Sequence, residues 1–197
     1  MAAAHFLRWC FLLFLFSCGT EQVSAQLDTW HCVPPMHSRD NGQINDHYLY
    51  LSTPSTEPVT VNIVDGSGAL FGNSPYTIQN QDPLEVYIGD GQTSGSKLMV
   101  SGAELNTTLT NRGLIVEASA PIFCNARYRS NWQAEALTSK GIKAQGQTFR
   151  LGGMPITYQG NLRSFVFGIM ATEDDVQVQI SGYDSDVVFA GTPTLNA

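Results

Sequence analysis

FVFGIMATEDDVQVQI, residues 165–180, is the stretch whose reading decides the fold. An aromatic and aliphatic run leads into an acidic turn, and then Val176, Val178 and Ile180 alternate strictly with Gln177 and Gln179. A period of two places the aliphatic side chains on one face of an extended chain, so the pattern spells strand, turn and half-buried strand. The same order is written at residues 48–63, YLYLSTPSTEPVTVNI, where Val59, Val61 and Ile63 alternate with Thr60 and Asn62 after the turn 52–58. An offset of 117 residues (176 − 59 = 117) superposes the two alternating segments, which predicts an internal duplication. The first copy continues over residues 65–128, whereas only 182–197 follow the second. The expectation is an incomplete second unit, in a fragment of a longer protein, with an unpaired sheet edge near its C-terminal end.

Outward from these segments the chain keeps the same character. Asp65-Gly66-Ser67-Gly68 is a turn signature that closes the strand beginning at Val59. Residues 76–78, 84–88 and 97–100 each hold a strand's worth of β-formers, separated by Asn80-Gln81-Asp82-Pro83 and by the glycine-rich 89–95. Strands at roughly ten-residue spacing are the mark of a sandwich or barrel. In GLIVEASAPIFCNARY, residues 113–128, two apolar runs flank Ser119-Ala120-Pro121 and predict two buried strands around a tight turn. Only residues 131–140 have helical flavour, with Trp132, Ala134, Glu135, Ala136 and Leu137 stopped by Gly141. Fewer than three turns cannot stand alone, so a short helical turn capping one end of the sandwich is expected. The fold class read from the sequence is therefore all-β, a sandwich-like duplicated unit with its second copy truncated.

The N-terminal region reads as an address. His5 and Arg8 precede the apolar run 9–16, and Val23-Ser24-Ala25 has the small-x-small pattern of a signal-peptidase site, so residues 1–25 are expected to be a Sec signal cleaved after Ala25. The run is too short to span a bilayer, and no transmembrane segment is expected in the mature chain. A lipoprotein processed at Cys18 is the alternative. Cleavage after Ala25 leaves Cys32 and Cys124, two thiols that an oxidising exterior could pair, although spacing alone does not bring their Cα atoms within reach. Residues 26–46, with Pro34-Pro35 and Asn41-Gly42, are expected to be an extended lead-in covering an edge. The organisation expected beyond it is a first β unit over 47–163 and the start of a second over 164–197.

Composition bounds the function. The 197-residue chain is 43% hydrophobic and 14% charged, has 18 glycines and carries a net charge of −7, which disfavours nucleic acid as a partner because phosphate binding needs a concentrated basic face. Eight Lys and Arg nonetheless lie between Lys97 and Arg163 against Glu104, Glu117 and Glu135, so that the middle carries +5 (8 − 3 = 5). Within it, Arg127, Arg129, Trp132, Gln133 and Lys140 are the candidate binding residues, since Trp and Arg are what interfaces favour. Glu135 and Lys143 belong to the same cluster.

Motifs for chemistry are sparse. No Gly-x-Ser-x-Gly elbow occurs, and the glycine-rich loop lacks the Gly-Lys-Ser/Thr end of a phosphate cradle. His31, Cys32, His37 and His47 lack zinc spacing. Glu173, Asp174 and Asp175 are a weak calcium candidate, with Asp184 and Asp186 nearby, but the regular calcium-loop spacing is missing. No metal and no cofactor is expected, and no enzyme. Asn106-Thr107-Thr108 matches a glycosylation acceptor.

Several phrases together point to a family. The residues NRGLIVEASAPIFCNAR (111–127), then Gln133-Ala134-Glu135, Leu137-Thr138-Ser139-Lys140-Gly141 and Gly146-Gln147-Thr148-Phe149-Arg150-Leu151-Gly152, resemble the N-terminal domain of the IgGFc-binding protein family. Asp46-His47-Tyr48, Ser52-Thr53-Pro54 and Met170-Ala171-Thr172-Glu173-Asp174 extend the likeness over residues 30–189. The chain looks like the form of this domain found in secreted, multi-domain surface proteins of gliding bacteria. The resemblance implies a β-rich, non-catalytic module for adhesion or binding of a protein or glycan at the cell exterior. Where many relatives have an aliphatic residue this chain has Cys124, so the resemblance implies no disulfide. A structural spacer without its own ligand is the alternative function, and a carbohydrate-active enzyme fragment a second.

Overall fold

The structure is a computed structural model that describes residues 26–37, 44–90, 96–130, 134–153 and 166–189. The fold is all-β. Its strands are β1 (Asp28–Val33), β2 (Met36–His37), β3 (Ile44–Ser52), β4 (Val59–Asp65), β5 (Tyr76–Ile78), β6 (Leu84–Gly89), β7 (Met99–Val100), β8 (Leu114–Ser130) and β9 (Ala134–Thr138). Seven of them form one curled antiparallel sheet, and β2 and β7 pair in parallel beside it.

Everything is arranged about β8, whose 17 residues run through both halves of the sheet. Its first half lies between β4 (Asp65↔Leu114 to Val61↔Ala118) and β1 (Val33↔Leu114 to Trp30↔Glu117). Its second half lies between β3 (Ser52↔Phe123 to Ile44↔Ser130) and β9 (Asn125↔Thr138 to Arg129↔Ala134). β5 and β6 complete the two halves on the outer sides of β4 and β3. Leu114, Val116, Ile122, Cys124, Ala126 and Tyr128 point inward along its length. They meet Leu49 and Leu51 from β3, Val59, Val61 and Ile63 from β4, and Val86 and Ile88 from β6 in a single core. The two halves thus bury one shared interior, as a sandwich does.

Several expectations change. Residues 113–128 were expected to make two strands around a turn, yet β8 passes straight through Ser119-Ala120-Pro121. Proline lacks an N–H and is tolerated where no ladder bond is due. The β4 register ends at Ala118 and that of β3 begins at Phe123, while β1 shifts register between Trp30 and Asp28, so Pro121 falls where β8 changes neighbours. For the same reason β3 and β4 do not form the expected hairpin with each other; each pairs with a different half of β8. The lead-in supplies β1 and β2 rather than merely covering an edge.

The helical turn expected near residues 131–140 is a strand over Ala134–Thr138, because an open edge of β8 is available there and pairing satisfies more backbone groups than one isolated turn would. Helical geometry appears later, as a 3-10 turn at Gly141–Ala144 that packs on β1. Gly141 has φ of 66°, and a Cβ there would overlap the Asp28 side chain, whose Oδ2 accepts from Ile142 N at 2.9 Å.

The duplication is not seen as two like strands. Val59, Val61 and Ile63 are buried in β4, whereas residues 176–180 belong to no strand, and Val176 and Val178 are 51% and 54% exposed. Alternation makes a segment able to cover a face, but a strand also needs a partner, and none pairs with 176–180 among the described residues. No helix among the described residues is long and apolar enough to cross a membrane.

Candidate functional site

Because one set of alternating positions in β3, β6 and β8 is buried in the core, the other set faces out. On the half built from β6, β3, β8 and β9, this outward set is aromatic and polar. Register places Tyr87, Tyr48, Arg127 and Ala136 in one row across the four strands, and Glu85, Tyr50, Asn125 and Thr138 in the next. Asp46, Arg129 and Ala134 form the row on one side, and Ser52 and Phe123 flank the other.

The tyrosines pack against one another. Tyr48 has its ring centroid 5.4 Å from that of Tyr87 and 6.2 Å from that of Tyr50, with tilts of 60° and 56°. These are the offset, edge-tilted geometries that aromatic quadrupoles prefer. The Arg127 guanidinium lies 4.7 Å from the Tyr50 ring centroid, a cation–π contact. Glu85, opposite Tyr50 in register, raises the pKa of the Tyr50 hydroxyl above the ordinary phenol value. Arg129 pairs with Asp46, and the Asn125 amide donates to Thr138 Oγ1 at 2.8 Å. Tyr87 stands 52% exposed, and Phe123 37%. Against this aromatic side, β9 contributes only Ala134, Ala136 and Thr138, which leaves a low shelf beside Arg127.

A second polar group is internal. The Asp65 carboxylate accepts from Ser67 N at 2.9 Å, from Ala69 N at 3.2 Å and from Ser67 Oγ, and forms an ion pair with Lys97 Nζ at 2.6 Å. Burial alone would raise its pKa, but Lys97 and the Ser67 and Ala69 donors hold it down at about 2. Arg112 donates to Ser96 O at 2.8 Å and to Glu104 Oε1 at 2.7 Å, and that guanidinium, with Ser101 N, holds Glu104 at about 2. Together these contacts tie the segment 96–112 to the end of β4.

Buried within the same region, Ser96 Oγ and His47 Nε2 are hydrogen-bonded. A serine and a histidine in contact are the pair that acyl transfer uses. Here both are at most 1% exposed, and the same Oγ also accepts from Leu98 N at 3.3 Å. His47 also stacks on Tyr128, with centroids 6.0 Å apart. His31 is equally buried, with Nε2 3.1 Å from Ile122 O and 3.2 Å from Asp28 O, and Nδ1 3.0 Å from Ser139 Oγ. Desolvation lowers the pKa of both histidines; backbone carbonyls oppose it at His31, and Asp90 and Asp46 oppose it at His47.

Of the residues singled out from sequence, Arg127 and Arg129 come together on the outward face. Lys140 lies beyond the far end of β9, where it precedes the 3-10 turn. Trp132 and Gln133 fall outside the described residues. Tyr48, Tyr50 and Tyr87 went unnoticed as a group, since only the register of β3 against β6 shows that they meet; their alternation with Leu49, Leu51 and Val86 was the available signal. Cys32 and Cys124 are free thiols, so the disulfide weighed from sequence is not formed. Cys32 lies opposite Ile115 in the first half of β8, while Cys124 lies in the second half, opposite Leu51. Burial pushes the Cys32 thiol up to about 11, and burial and then Cys32 push Cys124 up to about 12.

Glu173, Asp174 and Asp175 sit on an exposed turn, and among the described residues no group of three or more His, Cys, Asp or Glu converges on a point where a metal could sit. No family model matches the chain, and neither a curated protein nor a solved structure does.

Proposed function

We propose that this chain is a non-catalytic binding module of a larger secreted or cell-surface protein, and that its ligand docks on the outward face of β6, β3, β8 and β9. What supports this is the row of Tyr87, Tyr48 and Arg127, with Tyr50 and Arg129 adjoining: aromatic and arginine side chains held out to solvent by strands whose other face is core. Such residues are the ones that carry most interface energy. They are fixed here by β pairing and by contacts to each other, so little rotamer freedom is lost when a ligand arrives. The resemblance to the IgGFc-binding N-terminal domain agrees with an extracellular module.

The test is an array of immobilised extracellular proteins and glycans probed with the wild-type chain and with Arg127→Ala. Binding weakened by that substitution at unchanged stability is the expected result. Uniform indifference of the array to the wild-type chain would favour a spacer without a ligand.

A further inference from the structure

We infer that the ligand of this face is a short neutral oligosaccharide, which stacks on Tyr87 and Tyr48 and is hydrogen-bonded by Arg127 and Glu85; this deepens, and rests on, the binding-module proposal above. Three observations lead there.

Charge is the first. The face carries Arg127 and Arg129 against Glu85, Asp46 and, acting on Tyr87, Asp90; Arg129 pairs with Asp46, and Arg127 lies over Tyr50, which stands opposite Glu85. A face on which the two signs are interleaved in this way offers no single-sign patch to a strongly anionic or cationic partner. It offers instead a fork of N–H donors beside carboxylate acceptors, the inventory that pairs with hydroxyl groups acting as donor and acceptor at once.

Size is the second. Four strands are about 14 Å across at ~4.8 Å per strand, and the positions from Asp46 to Ser52 run about 20 Å at ~3.3 Å per residue. The face therefore covers about 300 Å², well under the ~800 Å² per partner of a stable protein interface. It is bounded by the edge strands β6 and β9, so the sheet cannot extend it. A few sugar rings fit such an area; a folded protein would contact mostly other surfaces.

Shape is the third. The C–H face of a pyranose ring carries partial positive charge and suits the negative face of an aromatic ring. Tyr87 is open to such contact and is braced by Tyr48 from the next strand. On the other side of Arg127 the alanines of β9 leave lateral room for a neighbouring ring.

The full chain, and its Tyr87→Ala, Tyr87→Phe, Ala136→Trp and Arg127→Ala variants, are applied to one array of neutral and acidic oligosaccharides and one of extracellular proteins, with circular dichroism as a control of folding. The expected result is binding to neutral oligosaccharides that Tyr87→Ala weakens at least about tenfold, the loss of one hot-spot contact. Tyr87→Phe keeps the ring and most of the affinity, and Ala136→Trp fills the shelf and blocks binding without touching the tyrosines. Binding only to acidic glycans, or saccharide binding indifferent to both Tyr87→Ala and Ala136→Trp, overturns the inference. Binding to proteins alone, weakened by Arg127→Ala, overturns the saccharide and leaves the binding module standing. Silence on both arrays overturns both.

Discussion

Two fully buried histidines make the stability of this protein acid-sensitive in a window set by them. Desolvation lowers the pKa values of His31 and His47 in the fold, whereas in the unfolded chain each titrates near the ordinary imidazole value of about 6.5. Below that value the unfolded state binds protons that the native state does not, so stability is complete above about pH 7 and falls as the pH drops. A group that stayed neutral in the fold throughout would lose on the order of 1 kcal/mol between pH 7.5 and pH 5.5. The two together would set a ceiling of about 3 kcal/mol, a large share of the ~5–15 kcal/mol that holds a domain together. Carboxylates do not confuse the window. Asp65 and Glu104 have folded values of about 2 against 3.8 and 4.5 unfolded, so their stabilisation is present above pH 4.5 and is lost only as the pH falls towards 2. Urea unfolding followed by circular dichroism at pH 7.5, 6.5 and 5.5 reads the slope directly. His31→Gln and His47→Gln, which keep a donor near Nε2, should each remove about half of it, and the double variant all of it. A flat profile in the wild type, or an undiminished slope in the double variant, would refute the reasoning.

Breaking the internal ion pair with Asp65→Ala leaves Lys97 and three donors at Ser67 and Ala69 without the carboxylate they share, and should cost about 3 kcal/mol of unfolding free energy in urea titrations, with Lys97→Met costing less because Lys97 is partly exposed. Leu49→Ala, at a side chain with no solvent exposure, should lower stability by about 2–5 kcal/mol through the cavity it leaves. Gly141→Ala should lower it by at least about 1–2 kcal/mol, the cost of a left-handed φ for an L residue, plus the overlap with Asp28; a melting temperature checks this. Peptide mapping after alkylation at pH 8 should find Cys32 and Cys124 unmodified in the native protein and both modified after denaturation, since their thiols are pushed up to about 11 and about 12; a linked pair would contradict the structure.

The sequence made the β class and most strand positions legible, because alternation at Val59–Val61–Ile63 and the turn at Asp65 are local signals that tertiary structure had no reason to override. It misplaced what depends on neighbours. Pro121 looks like a break until β8 is seen to exchange partners around it, and Ala134–Thr138 looks helical until the edge of β8 is there to pair with it. Val176 and Val178 follow the strand pattern as well as β4 does, yet local pattern cannot supply the partner that turns it into structure. The binding face was half visible: Arg127 and Arg129 stand two apart on one strand, whereas Tyr48 and Tyr87 are 39 positions apart and meet only through register.

The placement of β8 also dictates an order of events during synthesis. β1, β3 and β4 leave the ribosome before β8, so β1 and the inner edges of β3 and β4 wait for their partner until Ser130 has emerged. Distant pairings of this kind fold slowly and expose sticky edges meanwhile. A nascent chain of this protein therefore stays vulnerable to aggregation until its central strand is finished, and once that strand docks both halves become one cooperative unit.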